Sequence, residues 1–299
     1  MPYLGEAAAL FTSFCWSLSA VGFSMAGKTF ESTTINRIRI SLAFIALLAI
    51  NWLAYGQPLP FNASASRWLW LMASGIVGLA IGDFFLFRSY QLLGPRIGLL
   101  MLSLAPVYSA IIAWLFFGEL MLIREWIGVG VTLAGIGWVI LAKPAASQNA
   151  EEQRISPQGL WFGAIAALGQ SIGLVLSKQG MSGDFPPFAG TVIRISAAVI
   201  FLWGVAIFQG NWKHTLEQAR QEPKAFGWVG FGAFFGPVIG VSASLLSIQH
   251  ANLGVASTLM ALPPVFMLPI SYFFFKDRFT ISAVIGTAIA ILGVSLLLT

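Results

Sequence analysis

Polar residues are few along this chain and fall in short bunches, and the bunches divide it into ten long apolar runs. Each run reaches the roughly 20 residues that a helix needs to cross a bilayer core. In lipid every exposed backbone group must be bonded within its own segment, so runs of this kind predict helices and an all-α integral membrane protein. The predicted spans are Leu4–Gly27, Thr33–Tyr55, Trp68–Leu92, Arg96–Phe117, Trp126–Ala142, Gln158–Gln179, Phe188–Gln209, Phe226–His250, Gly254–Phe275 and Ile281–Leu298. Connections are short except at Gly56–Arg67, Lys143–Pro157 and Gly210–Ala225. The middle one, KPAASQNAEEQRISP, is polar and lacks aromatics, the composition of a linker. It divides the chain into units 1–142 and 158–299 around a linker at 143–157.

The two units are copies. Laying Gly78–Leu141 on Gly236–Thr299 without a gap gives 15 identities in 64 positions, against about five from composition alone. Gly78 and Gly82 fall on Gly236 and Gly240, a G-x-x-x-G close-packing face in both copies. Gln91 falls on Gln249, Pro106 on Pro264, and Gly128 and Gly135 on Gly286 and Gly293; earlier, Arg39-Ile40-Ser41 answers Arg194-Ile195-Ser196. Five crossings per copy is an odd number, so the second copy enters the membrane upside down. Two inverted five-helix repeats around a central cavity are the expected architecture, and that geometry serves alternating access.

Composition agrees. Hydrophobic residues make up 58% of the chain and charged ones 9%, where a soluble domain carries about 25% charge. Too few ionisable groups remain to coat a soluble globule. The net charge of +5 comes from scattered single residues, which leaves nucleic acid no basic patch to bind. Cys15 is the single cysteine, so neither an intramolecular disulfide nor a thiolate metal site is expected. No metal or cofactor is expected. The first run is too long for a signal h-region and is read as an uncleaved span.

The run W-S-x-x-x-x-G-F over Trp16–Phe23, Arg39 early in the second span, A-P-V-Y over Ala105–Tyr108, and F-F-G-E over Phe116–Glu119 followed by Gly128 resemble the EamA-type transporters. These are ten-helix members of the drug/metabolite transporter superfamily, and the aromatic-rich spans look most like the YddG-type aromatic amino acid exporters. The second copy departs from the pattern at Lys276-Asp277-Arg278. The resemblance implies a multi-pass protein of the bacterial inner membrane that exports small metabolites, with a monomer as the expected unit.

Ionisable residues inside spans are costly and usually face the bundle interior. Asp83 is the leading candidate for a coupling or gating carboxylate, with a structural pair to Arg88 or Arg39 as its plainer role. Arg39 and Arg194 are expected to snorkel towards phosphate. Glu6 reads as a helix-end acid. Arg37 is the fifth such residue. Pro106 and the Pro263-Pro264 pair interrupt spans 4 and 9 at equivalent depth and are candidate hinges and cavity walls. Trp16, Phe87, Tyr90, Gln91, Tyr108, Trp161, Gln170, Ser244 and Gln249 combine aromatic faces with amides and hydroxyls, a mixture suited to a small zwitterion with an apolar side chain. Trp68, Trp70 and Trp126 are assigned to the interfacial belts.

The run Gly22–Thr29 fits G-x-x-x-x-G-K-T, yet it ends a hydrophobic span with no parallel sheet beside it, so a nucleotide site is not expected. An intramembrane enzyme acting on lipid substrates would need a carboxylate pair or His/Glu cluster, and His214 and His250 stand outside any such group. The expected function is therefore a secondary transporter exporting small metabolites, amino acids first, with other metabolites or drugs as the alternative. The odd-numbered connections carry ten Lys/Arg and the even ones three. That bias would place both termini outside the cytoplasm, whereas the resemblance places them inside.

Overall fold

The computed structural model describes residues 3–141, 156–275 and 280–298. Ten of the described helices are long and apolar enough to span a membrane: Leu4–Ala26, Ser32–Tyr55, Ala65–Tyr90, Leu100–Phe117, Ile123–Leu141, Pro157–Gly180, Pro187–Phe208, Pro223–His250, Leu253–Ile270 and Ile281–Leu298. They are numbered spans 1 to 10. Most of the linker, residues 143–155, and the Lys276-Asp277-Arg278 turn lie outside the described residues.

Contacts between equivalent helices show the inversion directly. Spans 5 and 10 touch along a seam of glycines. A methyl group on Gly135 would fall 2.3 Å from the Ala290 backbone nitrogen, and one on Gly128 would fall 3.0 Å from the Gly293 carbonyl oxygen. Numbers rise along one helix as they fall along the other, so the pair is antiparallel. The contact of Gly128 with Gly293 is also the image of the contact of Gly135 with Gly286 under the repeat register. A two-fold axis perpendicular to the helices produces that pattern. Spans 2 and 7, another pair of equivalent helices in contact, are antiparallel too. Asn51 Nδ2 donates to the Phe188 carbonyl at 3.2 Å near one end, and Trp203 Nε1 donates to Ser41 Oγ at 2.8 Å further along.

Further packing crosses between repeats. Span 3 lies on span 6, where Gly78 meets Gly173 and Ser74 Oγ donates to the Gly173 carbonyl at 2.7 Å. Span 8 lies on span 1 in the matching way: Gly236 meets Ser19, and Ser19 Oγ donates to the Gly232 carbonyl at 2.7 Å. Ser19 is thus the counterpart of Gly173, Trp16 of Gln170, and Ser24 of Lys178. Spans 3 and 8 both contain a π-helical stretch, Gly75–Gly82 and Phe234–Gly240. Such widened turns are favoured at functional sites, and the first delivers Asp83 to the bundle interior.

Three features differ from expectation. Helical bonding continues through Asp83–Leu102, with the turn between spans 3 and 4 held inside it. There the Gly98 backbone returns so close to Tyr90 that a methyl group would lie 2.3 Å from the ring. Spans 4 and 9 break just ahead of their prolines, at Ser103–Leu104 and Ala261–Leu262. Both breaks are closed by tightened turns, Leu104 N to the Met101 carbonyl at 3.1 Å and Ala261 N to the Thr258 carbonyl at 3.1 Å. Pro106, Pro263 and Pro264 therefore open new helical segments, where a missing N–H leaves nothing unsatisfied, instead of bending a continuous helix. The connection at Gly210–Ala225 folds as an amphipathic helix, Trp212–Gln221.

Candidate functional site

Between the repeats lies a cavity in two lobes that share Trp16, Leu102 and Gln170. The first, about 220 Å³, is walled by Phe23, Arg39, Asp83 and Pro237 among others. The second, about 120 Å³, is walled by Pro106, Ser257, Met260, Pro263 and Pro264.

The first lobe is organised by charge. Arg39 projects from span 2 and pairs with Asp83 Oδ2 of span 3. Its Nε donates to Asn36 Oδ1 at 2.8 Å, and its guanidinium lies over the Phe23 and Phe87 rings at 5.3 and 5.7 Å. Gln170 Nε2 of span 6 donates to the other Asp83 oxygen at 2.8 Å and to the Gly78 carbonyl at 3.2 Å. Asp83 is buried, and both its oxygens are bonded. Arg194, the repeat mate of Arg39, is also buried within electrostatic reach of Asp83, and its Nε has no partner. The repeat mate of Asp83 is Val241. Two guanidiniums thus face one carboxylate, leaving a local excess of positive charge in a desolvated site.

The second lobe is organised by backbone. Pro106 and Pro264 have no N–H for the carbonyls of Leu102 and Met260, the residues four positions earlier. Both of those residues line this lobe. They are repeat mates, so each copy contributes one carbonyl released from the helical pattern. Such carbonyls occur at membrane depth where they border a cavity.

At the end of the bundle that carries the even-numbered connections, a polar network, here called the latch, joins the two repeats. Lys178 Nζ lies 2.5 Å from Glu119 Oε1, and Glu119 Oε2 accepts from the Leu253 backbone N–H at 2.8 Å. Lys178 also donates to the Ala251 carbonyl at 3.0 Å. Gln249 Nε2 reaches the Met181, Gly183 and Phe185 carbonyls at 3.0 to 3.1 Å. Spans 4, 6 and 9 are tied together by this network. The counterparts of Lys178 and Leu253 at the opposite end are Ser24 and Pro95. Neither supplies the cation or the N–H that the latch uses.

The structure thus brings Trp16, Asp83, Gln170, Pro106, Pro263 and Pro264 to the cavity. Phe87 abuts it through Arg39, and Tyr90 stacks behind Phe87 with ring centroids 6.2 Å apart. Tyr108 is half-buried beyond Pro106, outside the cavity lining, and Ser244 is buried with its hydroxyl on the Val241 carbonyl. Gln249 belongs to the latch. Trp161 is 69% exposed on the outer surface: Gly159 and Gly163 take the packed face of span 6, and a residue two positions along points about 200° around the helix. The Gln91 side chain lies outside the described residues. Arg39 does not snorkel; the pair with Asp83 draws it inward. Sequence reading missed Phe23, Leu102 and Met260 and the Glu119–Lys178 pair.

A ten-span bundle of inverted repeats, enclosing a cavity drawn from both, has the build of a membrane transporter. The chain belongs to the EamA-like transporter family, whose model matches it twice, at residues 3–141 and 157–299. It is 21% identical to an uncharacterized transporter of Synechocystis sp. over 95% of this chain and 86% of that one. An uncharacterized transporter of Haemophilus influenzae is 28% identical over 46% of this chain, so the match spans 44% of that protein's length. Protein LicB of the same organism is 44% identical over 47% of each chain. A solved crystal structure superposes with a TM-score of 0.76 at 18% identity, covering 99% of this chain and 96% of that one, which speaks for the shared fold.

Proposed function

We propose that this transporter is a secondary exporter of neutral and aromatic amino acids in the bacterial inner membrane. The observation that carries the reading is the two-lobed cavity. Arg39 offers a guanidinium to a carboxylate, the geometry that suits it best. The Leu102 and Met260 carbonyls offer acceptors to an ammonium group one lobe away. Trp16 and Phe23 supply aromatic walls for an apolar side chain, the usual division of labour in a small-molecule site. A zwitterion complements both lobes; a simple cation would meet the excess positive charge around Arg39.

Transport follows by rocking the unit 1–142 against 158–299, with 143–157 as the linker between them. In this scheme the breaks at Ser103–Leu104 and Ala261–Leu262 act as hinges, and Pro106, Pro263 and Pro264 keep the helical segments on either side distinct. The Glu119–Lys178 latch holds its own end shut and must part for the cavity to open there. A single chain supplies both halves, so the working unit is a monomer.

The test is flux of labelled phenylalanine, methionine and threonine in proteoliposomes. Passage faster than through empty vesicles supports the reading; rates equal to empty vesicles for all three overturn the substrate class.

A further inference from the structure

A groove of about 520 Å³ lies between spans 2, 3 and 7, at the end of the bundle that carries the odd-numbered connections. Its lining changes character with depth. Ser32, Thr33 and Asn211 stand at the helix ends, Arg37 and Arg88 come next, and Ile81, Phe84 and Phe201 continue inward. From Arg88 to Ile81 is seven residues of span 3, or about 10 Å of helix. Phe84 is 49% and Phe201 37% exposed, so the described residues leave much of this apolar floor uncovered.

We propose that this groove binds one anionic phospholipid, with its phosphate between Arg37 and Arg88 and an acyl chain laid along Ile81, Phe84 and Phe201. Three observations support this occupant. Arg37 is fixed at head-group depth, because its Nη1 donates at 3.0 Å to Thr215 on the amphipathic helix Trp212–Gln221. That helix sets Trp212 and Leu216 beside Lys213 and Arg220, the composition of a helix lying in the membrane interface. The charge is also complementary. Two guanidiniums, the groups best suited to phosphate, line the groove together with the carboxylate of Glu31, which lies 4.0 Å from His214. The odd-numbered connections as a whole carry ten Lys/Arg against six Asp/Glu, while the even ones carry three of each. Basic pockets between spans at such a surface bind anionic head groups. Finally, a uniformly polar occupant would leave the exposed phenylalanines unmatched, and a uniformly apolar one would leave the arginines so. Phe87 lines the groove and also lies under Arg39, so a lipid seated there touches one wall of the transport cavity. The site does not depend on which substrate the cavity carries.

The experiment uses the full chain, purified and delipidated in detergent, with phosphatidylglycerol or phosphatidylcholine added back. Retained lipid is counted by native mass spectrometry and the thermal midpoint is followed in parallel. One phosphatidylglycerol per chain should be retained in preference to phosphatidylcholine, with a raised midpoint. Arg88→Gln, at an exposed position, should weaken that binding about tenfold, the scale of one lost charge-assisted contact, and Phe84→Ala should weaken it less. Equal retention of the two lipids, or unchanged phosphatidylglycerol binding in Arg88→Gln, overturns the site. Protection by inorganic phosphate as strong as that by the lipid would make it a soluble-anion site. Displacement of the lipid by a transported amino acid would assign the groove to the transport path. Either result overturns the proposal.

Discussion

Arg39 and Asp83 face each other across the gap between spans 2 and 3, and in the second repeat the same two places are held by Arg194 and Val241. The fold is duplicated, but the charge is not. Breaking a buried pair from one side leaves an uncompensated ion and costs about 3 to 5 kcal/mol. Asp83→Asn should therefore lower the thermal midpoint sharply and reduce flux, leaving Arg39 and Arg194 without a counter-charge. The double variant Arg39→Gln with Asp83→Asn should recover much of the midpoint and none of the flux. Equal flux in the double variant and wild type would show that the pair serves stability alone.

Pro106 and Pro264 keep two helical segments from fusing. Alanine at either place restores a backbone N–H to the Leu102 or Met260 carbonyl and makes a continuous helix more favourable by up to about 3 kcal/mol. Each single variant should insert normally, judged by yield and gel-filtration profile, and transport several-fold more slowly. Unchanged flux in both would remove the hinge role.

The Glu119–Lys178 latch should control access from its own end. With Cys15→Ser as background and a reporter at Ser257→Cys in the second lobe, the latch variants Glu119→Gln and Lys178→Met should raise labelling by a membrane-impermeant maleimide from that side. Labelling from the other side should fall. Exchanging the two residues, Glu119→Lys with Lys178→Glu, should restore part of the original pattern. Rates indifferent to all three changes would show that the pair does not gate.

Gly135 and Gly286 let spans 5 and 10 touch backbone to backbone. Gly135→Leu would drive a side chain into Ala290 and should cost about 1 to 3 kcal/mol or more, read as a lowered midpoint or failed assembly. Gly130, on the same helix, has open space around it, so Gly130→Ala should be neutral or slightly stabilising. A similar response at both positions would contradict the close crossing.

The spans and the duplication were legible because they are written in side-chain hydropathy and identity, which one sequence displays. Gln170 and Trp16 could be named as cavity candidates, but not that they are counterparts, since spans 1 and 6 share too few identities to set their register. Arg39 was misplaced because its depth depends on a partner on another span. The latch is not legible in the sequence because most of its groups are backbone, the Leu253 N–H and the Ala251, Met181, Gly183 and Phe185 carbonyls, which side-chain identity does not mark. Helix Trp212–Gln221 lies in what hydropathy alone marks only as a longer connection, although Trp212, Thr215, Leu216 and Ala219 recur at helical spacing.

Two identical copies of one part would let the machine rest with equal ease in either posture. Proline at 95 and serine at 24 supply neither the N–H nor the cation found at Leu253 and Lys178, so the two ends differ here. A charge-assisted contact available to one posture only, at about 1.5 to 3 kcal/mol, skews the idle population by roughly ten- to a hundredfold. If the latch gates as proposed, the protein waits with one door shut, and cargo arriving at that door must first release a bolt whose cation and N–H have no equivalent at positions 24 and 95.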